Sequence, residues 1–154
     1  ILTLVLVRYR KAKINRILLA SDHAGFNLKR KIKNFLIKKG KKVLDLGTTN
    51  TNSVDYPDYA HALSKKMKKN RNQFGILVCG SGIGMSIAAN KHKNIRAALC
   101  YNIKSTKLSR QHNNANVMTI GSRLIKKQIV LDCVNVFLKT KFEGGRHIKR
   151  VKKI

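Results

Sequence analysis

The residues with the clearest chemical potential lie in the segment LVCGSGIGMS, Leu77–Ser86, where a cysteine precedes three glycines on alternate positions. Cys79 ends a short apolar run, and a helical pattern begins at Gly84. In a turn between a strand and a helix, glycines let backbone N–H groups approach an anion closely. A helix N-terminus and nearby cations also stabilise a thiolate, which can act as a base or a nucleophile. A small buried cysteine before an ordinary glycine turn is the alternative.

The spacing of these glycines does not match the common nucleotide-binding motifs. The dinucleotide fingerprint G-x-G-x-x-G would need a glycine in place of Met85, and no acidic residue lies about 20 residues further on to bind a ribose. The phosphate loop G-x-x-x-x-G-K-[ST] is missing as well. The segment therefore disfavours nucleotide binding.

Two further pairs of polar residues are candidates for a site. Asp22 and His23 follow the first apolar run, where Asp22 suits either a ligand contact or a cap for the next helix. His112 and Asn113 lie in the stretch SRQHNNANV. His112 could transfer a proton near neutral pH, or it could be an ordinary loop histidine.

Three arginines near the end of the chain are candidates for binding an anion. Arg146 and Arg150 are spaced i,i+4, which puts two guanidinium groups on one helix face, an arrangement that suits a phosphate. Arg123 stands in the tripeptide GSR. In a chain this basic, all three are also typical of solvated surface.

Five short apolar runs alternate with helical patterns and must position these residues. The predicted strands are Arg16–Ala20, Lys42–Leu46, Phe74–Val78, Arg96–Cys100 and Val117–Ile120. This alternation predicts an α/β fold, a doubly wound, Rossmann-like three-layer sandwich with a five-stranded parallel sheet. Ligands bind beyond the carboxyl ends of such strands. We therefore expect four loops to meet there: Ser21–Gly25, Gly47–Asp58, Cys79–Gly84 and the loop from Tyr101.

The charge balance is extreme, with 34 lysines and arginines against 6 acidic residues and a net charge of +28. Such a field attracts polyanions, so a basic nucleic-acid-binding module is one function class to consider. The lysines are scattered, however, in runs such as KKGKK near predicted helix ends, and no nucleic-acid recognition motif accompanies them. We therefore expect solvated surface and predict no specific nucleic-acid partner.

The cysteines and the first residues bear on location and domain organisation. Cys79, Cys100 and Cys133 show no C-x-x-C spacing, which argues against disulfides and a structural zinc site and favours a reducing, cytoplasmic location. The apolar run Ile1–Val7 is too short to span a membrane. We predict that residues 1–15 form a basic extension outside the fold and that residues 16–154 form a single domain.

Eight motifs in order closely resemble the B type of ribose-5-phosphate isomerase, in a family that includes galactose-6-phosphate isomerase subunits. They are SDHAGF, LDLGT, DYPDYA, LVCGSGIGMSIAANK, IRAALC, LSRQHNNANV, IGSR and EGGRH. The resemblance implies an aldose–ketose isomerase of the pentose phosphate pathway that interconverts D-ribose 5-phosphate and D-ribulose 5-phosphate through an enediolate, without metal or other cofactor. An isomerase of allose or galactose 6-phosphate on the same fold is the alternative.

The resemblance also implies roles for individual residues. Cys79 matches the catalytic base that moves a proton between C1 and C2, and His112 matches the residue that opens the furanose ring. The family forms homodimers, sometimes tetramers, with each site built from both subunits. The remaining matched positions are substrate-binding, with the glycine turn holding the enediolate oxygens and the arginines chiefly the phosphate: Asp22, His23, Gly80, Ser81, Gly82, Ile83, Gly84, Asn113, Arg123, Arg146 and Arg150.

Overall fold

A five-stranded parallel sheet forms the centre of the computed structural model, which describes residues 16–67 and 73–154. The strands are β1 Arg16–Ser21, β2 Val43–Asp45, β3 Gln73–Cys79, β4 Ala97–Leu99 and β5 Val117–Gly121, in the spatial order β2-β1-β3-β5-β4. The helices are α1 Phe26–Lys38, α2 Tyr56–Lys66, α3 Ile83–Ala89, α4 Ile103–Asn113, α5 Lys127–Lys139 and α6 Ile148–Val151, with a 3₁₀ turn at Gly145–His147 before α6.

This architecture confirms the predicted doubly wound α/β fold. All four strand pairings are parallel, and each strand begins and ends within one residue of its predicted limits. The third helix begins at Ile83 rather than Gly84. The predicted extension of residues 1–15 lies outside the described residues. None of the described helices combines the length and the apolar character needed to cross a membrane.

Helices cover both faces of the sheet, as the apolar stripes predict. On one face, Ile32 and Leu36 of α1 and Val134 and Phe137 of α5 are fully buried. These residues recur at helical spacing, and each contributes about 1.5–3 kcal/mol by leaving water. On the other face, α2 and α3 bury residues that include Leu63, Met85 and Ala89.

Lys29 departs from the expectation that the lysines form solvated surface. It is only 1% exposed, and its Nζ lies 2.7 Å from Oδ1 of Asp45 and 2.6 Å from the carbonyl oxygen of Thr48. Partial burial raises the pKa of Asp45, but hydrogen bonds from Lys29, from the Gly47 N–H and from Lys33 outweigh it and hold that pKa below its ordinary value. The buried ammonium therefore ties α1 to the loop after β2.

Candidate active site

Backbone hydrogen bonds bring three of the four predicted loops together at the carboxyl edge of the sheet. The N–H of Ser21 donates to the carbonyl of Gly47 at 2.8 Å, and the N–H of Thr48 donates back to Ser21 at 2.9 Å. The N–H of Asp22 donates to the carbonyl of Val78 at 3.2 Å. The loops after β1, β2 and β3 are therefore joined at the point where their strands end.

A cavity of about 310 Å³ opens among these loops. This volume lies at the lower end of the range of small-molecule sites. It is lined by Asp22, Tyr56, Cys79, Gly80, Ser81, Gly84, Arg123 and Leu124. Six of the predicted site residues therefore share one cavity, together with two residues that we did not predict.

Cys79 is the last residue of β3, and it lines the cavity although it is only 4% exposed. Its Sγ accepts a hydrogen bond from the N–H of Gly82 at 3.1 Å. The donor points at the atom that carries the charge in a thiolate, and hydrogen bonds to ionised acceptors are the stronger ones. The thiol is thus held at the cavity by the turn that follows it.

The turn requires glycine at position 82. Gly82 has φ +78°, which L side chains rarely adopt. A Cβ there would lie 2.8 Å from the carbonyl carbon of Ile120 and 2.8 Å from Cδ1 of Leu99. The alternating glycines therefore serve close packing and sharp bending as well as access for a ligand.

Arg123 is brought over the same turn by the end of β5. The N–H of Ser122 donates to the carbonyl of Cys79 at 2.8 Å, and the N–H of Arg123 donates to the carbonyl of Gly80 at 3.0 Å. A Cβ on Gly80 would lie 3.1 Å from Nη1 of Arg123, so the glycine makes room for the guanidinium group. The guanidinium group consequently lines the same cavity as Cys79.

Asp22 both closes the turn before the first helix and lines the cavity, the two roles that the sequence left open. Its Oδ1 accepts a hydrogen bond from the N–H of Gly25 at 3.0 Å, which closes the turn directly before α1. It also lines the cavity. Nδ1 of the neighbouring His23 accepts a hydrogen bond from the N–H of Val54 at 3.1 Å, so in the neutral ring the proton lies on Nε2.

Seven of the predicted site residues do not line this cavity. His23, Gly82 and Ile83 stand in the loops around it, whereas the structure does not bring His112, Asn113, Arg146 or Arg150 to it. Helix α4 runs back from the carboxyl edge, and its C-terminal end packs beside the start of β4, where Nε of Arg96 donates to the carbonyl of Asn114 at 2.9 Å. Within one chain, His112 and Asn113 therefore lie at the amino edge of the sheet. A strand such as β5, five residues or about 16 Å long, separates the two edges.

A second cluster of polar side chains forms at that amino edge. The rings of His112 and His147 stack with centroids 4.3 Å apart and planes inclined by 14°. Oε2 of Glu143 lies 3.9 Å from Nε2 of His112 and 3.7 Å from Nε2 of His147. Desolvation, followed by the charges of His112 and Arg146, lowers the pKa of His147. The N–H of Glu143 donates to the carbonyl of Gln111 at 3.0 Å, which fastens the C-terminal tail to α4.

Sequence reasoning missed four residues of these two groups. Tyr56 is the first residue of α2, in the motif DYPDYA, so the loop predicted over Gly47–Asp58 ends at Asp55. The predicted segment was nevertheless expected at the carboxyl edge, where Tyr56 lines the cavity. Its ring packs on Gly84, where a Cβ would lie 2.5 Å from the ring carbons. Leu124 carried no pattern of its own. Glu143 and His147 stand at the two ends of the motif EGGRH, but their contact with His112 is set by the tertiary structure.

Comparison with known proteins confirms the resemblance drawn from the motifs. Ribose-5-phosphate isomerase B of Escherichia coli is 41% identical over 141 residues, which cover 92% of this chain and 95% of that protein. A ribose 5-phosphate isomerase structure from Thermotoga maritima matches with a TM-score of 0.87 and 50% identity, covering 90% of this chain and 95% of that one. Ribose-5-phosphate isomerase B from Mycoplasma genitalium, solved with bound ribulose-5-phosphate, matches with a TM-score of 0.86 and 44% identity, covering 90% and 92%. The model of the Ribose/Galactose Isomerase family matches residues 17–154, and the chain belongs to that family.

Proposed function

We propose that this chain interconverts D-ribose 5-phosphate and D-ribulose 5-phosphate. The single observation that carries the proposal is the thiol of Cys79, held by a glycine turn at a cavity of about 310 Å³ that Arg123 also lines. Family membership supports the reaction class. The relatives named ribose-5-phosphate isomerase, one of them with bound ribulose-5-phosphate, support the pentose substrate.

In the proposed reaction, the Cys79 thiolate removes the proton from C2 of the open-chain aldose and returns it to C1. The hydroxyl proton moves from O2 to O1 in the same sequence, so atoms and electrons balance within the substrate and no redox cofactor is consumed. Negative charge develops on the oxygens of the enediolate. Preorganised N–H donors stabilise such charge more in the transition state than in the ground state.

The glycine turn supplies the donors for that charge. The N–H of Gly82 is directed to the thiol at 3.1 Å, and the N–H of Ile83 is directed to Oγ of Ser81 at 3.2 Å. We therefore assign the enediolate oxygens to the other N–H groups of residues 80–84 and to the Ser81 hydroxyl. Asp22 is placed to orient the sugar hydroxyl groups, because its carboxylate lines the same cavity.

The phosphate and the sugar ring need groups that the cavity of one chain lacks. Arg123 lines the cavity and suits one side of a phosphate, and we assign the Nε2–H of His23, in the loop beside Asp22, to the same group. We assign the rest of the phosphate contact to Arg146 and Arg150 of a second copy, and contact with the sugar hydroxyls to the Asn113 of that copy. Its His112 would open the furanose ring.

A homodimer with shared sites explains this division between the two edges of the sheet. Apolar side chains that remain exposed near the carboxyl edge would be covered in such an assembly. They are Ile83 at 50%, Ile87 at 62%, Tyr101 at 59%, Ile103 at 46% and Leu124 at 67% exposure. A tetramer would pair two such dimers.

Isomerisation of allose or galactose 6-phosphate on the same fold is the second candidate, since the family description includes galactose. The modest volume of the cavity and the names of the relatives favour the pentose.

A cytoplasmic location is part of the proposal, because three buried free thiols fit a reducing compartment. The net charge of +28 would attract an anionic sugar phosphate, whereas the scattered lysines and the missing recognition motifs argue against a specific nucleic-acid role.

The decisive experiment compares rates on three sugar phosphates. The protein is purified from a host without its own ribose-5-phosphate isomerases, and ketose formation is followed with ribose, allose and galactose phosphates. We expect the highest kcat/KM for ribose 5-phosphate. A preference for a hexose phosphate would reassign the substrate, and salt-sensitive RNA binding without isomerase activity would overturn the enzyme proposal.

A further inference from the structure

The cluster of His112, Glu143 and His147 at the amino edge has the composition of a metal site. Each residue offers one ligand atom, and the three atoms all lie within 4.8 Å of one another. We propose that this cluster binds a divalent transition-metal ion such as Zn²⁺, which occupies His112 and reversibly blocks ring opening. The inhibitory consequence rests on the proposed function, whereas the binding site itself does not.

The ligand set matches the preferences of zinc. Two imidazole nitrogens and one carboxylate oxygen are a familiar set of three protein ligands, with a fourth position left for water. Around a tetrahedral zinc ion with ligands at about 2.0–2.1 Å, neighbouring ligand atoms are about 3.4 Å apart. The observed separations of 3.9 Å and 3.7 Å from Glu143 to the two histidines are only a few tenths of an ångström wider.

The exposure of two of the three side chains permits the small movement that would bring the ligand atoms to the spacing of a zinc site. The side chain of His147 is only 8% exposed, so it is a fixed member, while those of His112 and Glu143 are 36% and 49% exposed and can move. The stacked rings must turn, because two nearly parallel imidazoles with centroids 4.3 Å apart do not direct their nitrogen lone pairs at one ion. We therefore expect His112, the more exposed of the two rings, to rotate about its side-chain bonds so that its Nε2 turns toward the other two ligand atoms.

The surrounding charges set the expected strength of binding. Arg146 is adjacent to His147, and Arg150 follows on α6, so two positive charges oppose the ion and only Glu143 compensates within the cluster. We therefore expect binding in the micromolar range rather than the much tighter binding of dedicated structural zinc sites. Such an affinity suits reversible inhibition rather than a permanent structural role.

The site can be tested without any activity measurement. Metal-free full-length protein competes with a chromophoric chelator for Zn²⁺, and bound zinc is counted per chain. We expect one ion per chain, with Glu143→Gln and His147→Gln each weakening binding by about tenfold or more. Thermal unfolding of each variant confirms that it is folded, and Glu143→Gln alters an exposed side chain that the fold can spare.

Two control variants separate this cluster from other possible zinc ligands. His61 and His92 form a second imidazole pair, with Nδ1 and Nε2 only 2.7 Å apart, so His92→Gln is the matched control and should bind zinc as the unchanged protein does. Cys79→Ser removes the thiol of the cavity and should also retain the site. Loss of binding in either control, or unchanged binding in Glu143→Gln and His147→Gln, would overturn the proposal.

An activity measurement then tests the consequence. Zn²⁺ should inhibit turnover of ribose 5-phosphate, a chelator should reverse the inhibition, and Glu143→Gln should raise the inhibitory concentration by about the same tenfold factor. If inhibition is unchanged in Glu143→Gln, the link to ring opening fails. Zinc binding of the expected pattern in a chain without isomerase activity would refute the proposed function and leave the metal site standing.

Discussion

Nζ of Lys29 lies 2.7 Å from Oδ1 of Asp45, and this pair fixes the loop after β2 against α1. The same ammonium donates to the carbonyl of Thr48 at 2.6 Å, and Thr48 in turn donates its N–H to Ser21, next to the cavity residue Asp22. A buried lysine in the first helix therefore supports the backbone on which the carboxyl-edge loops meet.

Replacing Lys29 with methionine should destabilise the protein strongly. The methionine fills similar volume but leaves Asp45 and the Thr48 carbonyl without their buried donor, and breaking such a pair costs about 3 kcal/mol or more. Urea unfolding measures the effect. Lys33→Met is the matched control, because Lys33 is 38% exposed and contacts the same carboxylate at 3.3 Å. It should cost less than about 1 kcal/mol. Equal losses in the free energy of unfolding for Lys29→Met and Lys33→Met would contradict the assignment of Lys29 as the buried donor.

The lowered pKa of Asp45 predicts a contribution to acid stability. A carboxyl group whose pKa is lower in the folded than in the unfolded chain adds stability above its ordinary value of 3.8, and that stability disappears as the pH falls through the lower folded value. The free energy of unfolding of the unchanged protein should therefore decrease more steeply in this acid range than that of Asp45→Asn. Parallel curves for the two proteins between pH 2 and 5 would refute the prediction.

Gly82→Ala should disrupt the turn around the cavity. The substitution combines about 1–2 kcal/mol of backbone strain at φ +78° with a contact of 2.8 Å to the backbone of Ile120, so we expect a total loss above about 2 kcal/mol. Gly40→Ala is the matched control, because Gly40 has φ +72° but nothing lies within 4 Å of its Cβ position. Gly40→Ala should therefore lose only the free energy of the backbone strain. Thermal and urea unfolding of both variants decide whether packing at position 82 matters.

Cys79→Ala should lower kcat for ribose 5-phosphate by about 10²–10⁴-fold, the contribution expected of a positioned general base. KM should change little, because the arginines and the rest of the cavity remain. Cys133→Ala removes another buried free thiol, on the core-facing side of α5, and should retain kcat. A fully active Cys79→Ala variant would remove this residue as the base.

A mixing experiment tests whether the sites are shared between subunits. Cys79→Ala and His112→Ala should each be nearly inactive on the cyclic substrate. Random reassociation makes half of the dimers mixed, and in a shared arrangement each mixed dimer has one intact site. The mixture should therefore regain about a quarter of the unchanged activity. No recovery in a mixture shown to exchange subunits would place both residues in the site of one chain.

The sequence by itself determined the layered α/β architecture and most of the residues that line the cavity at the carboxyl edge. Short apolar runs flanked by glycine and polar turns occur once for each strand, so strands such as β1 and β5 could be located to within a residue. The thiol and its glycine turn were evident because Cys79 directly follows such a run. The Ser21–Gly25 and Gly47–Asp58 loops could be assigned to one edge because parallel strands end together.

Only the tertiary structure decided which distant residues become neighbours. Lys29 has the sequence context of any surface lysine, and its burial depends on a carboxylate 16 residues away. His147 and Glu143 meet His112 because the chain after α5 returns to the end of α4. The separation of His112 from Cys79 likewise follows from the direction of α4, which carries its last turn away from the edge where β3 ends. The spacing of apolar residues along the sequence indicates which face of a helix or strand is buried, whereas long-range contacts depend on how all the elements pack.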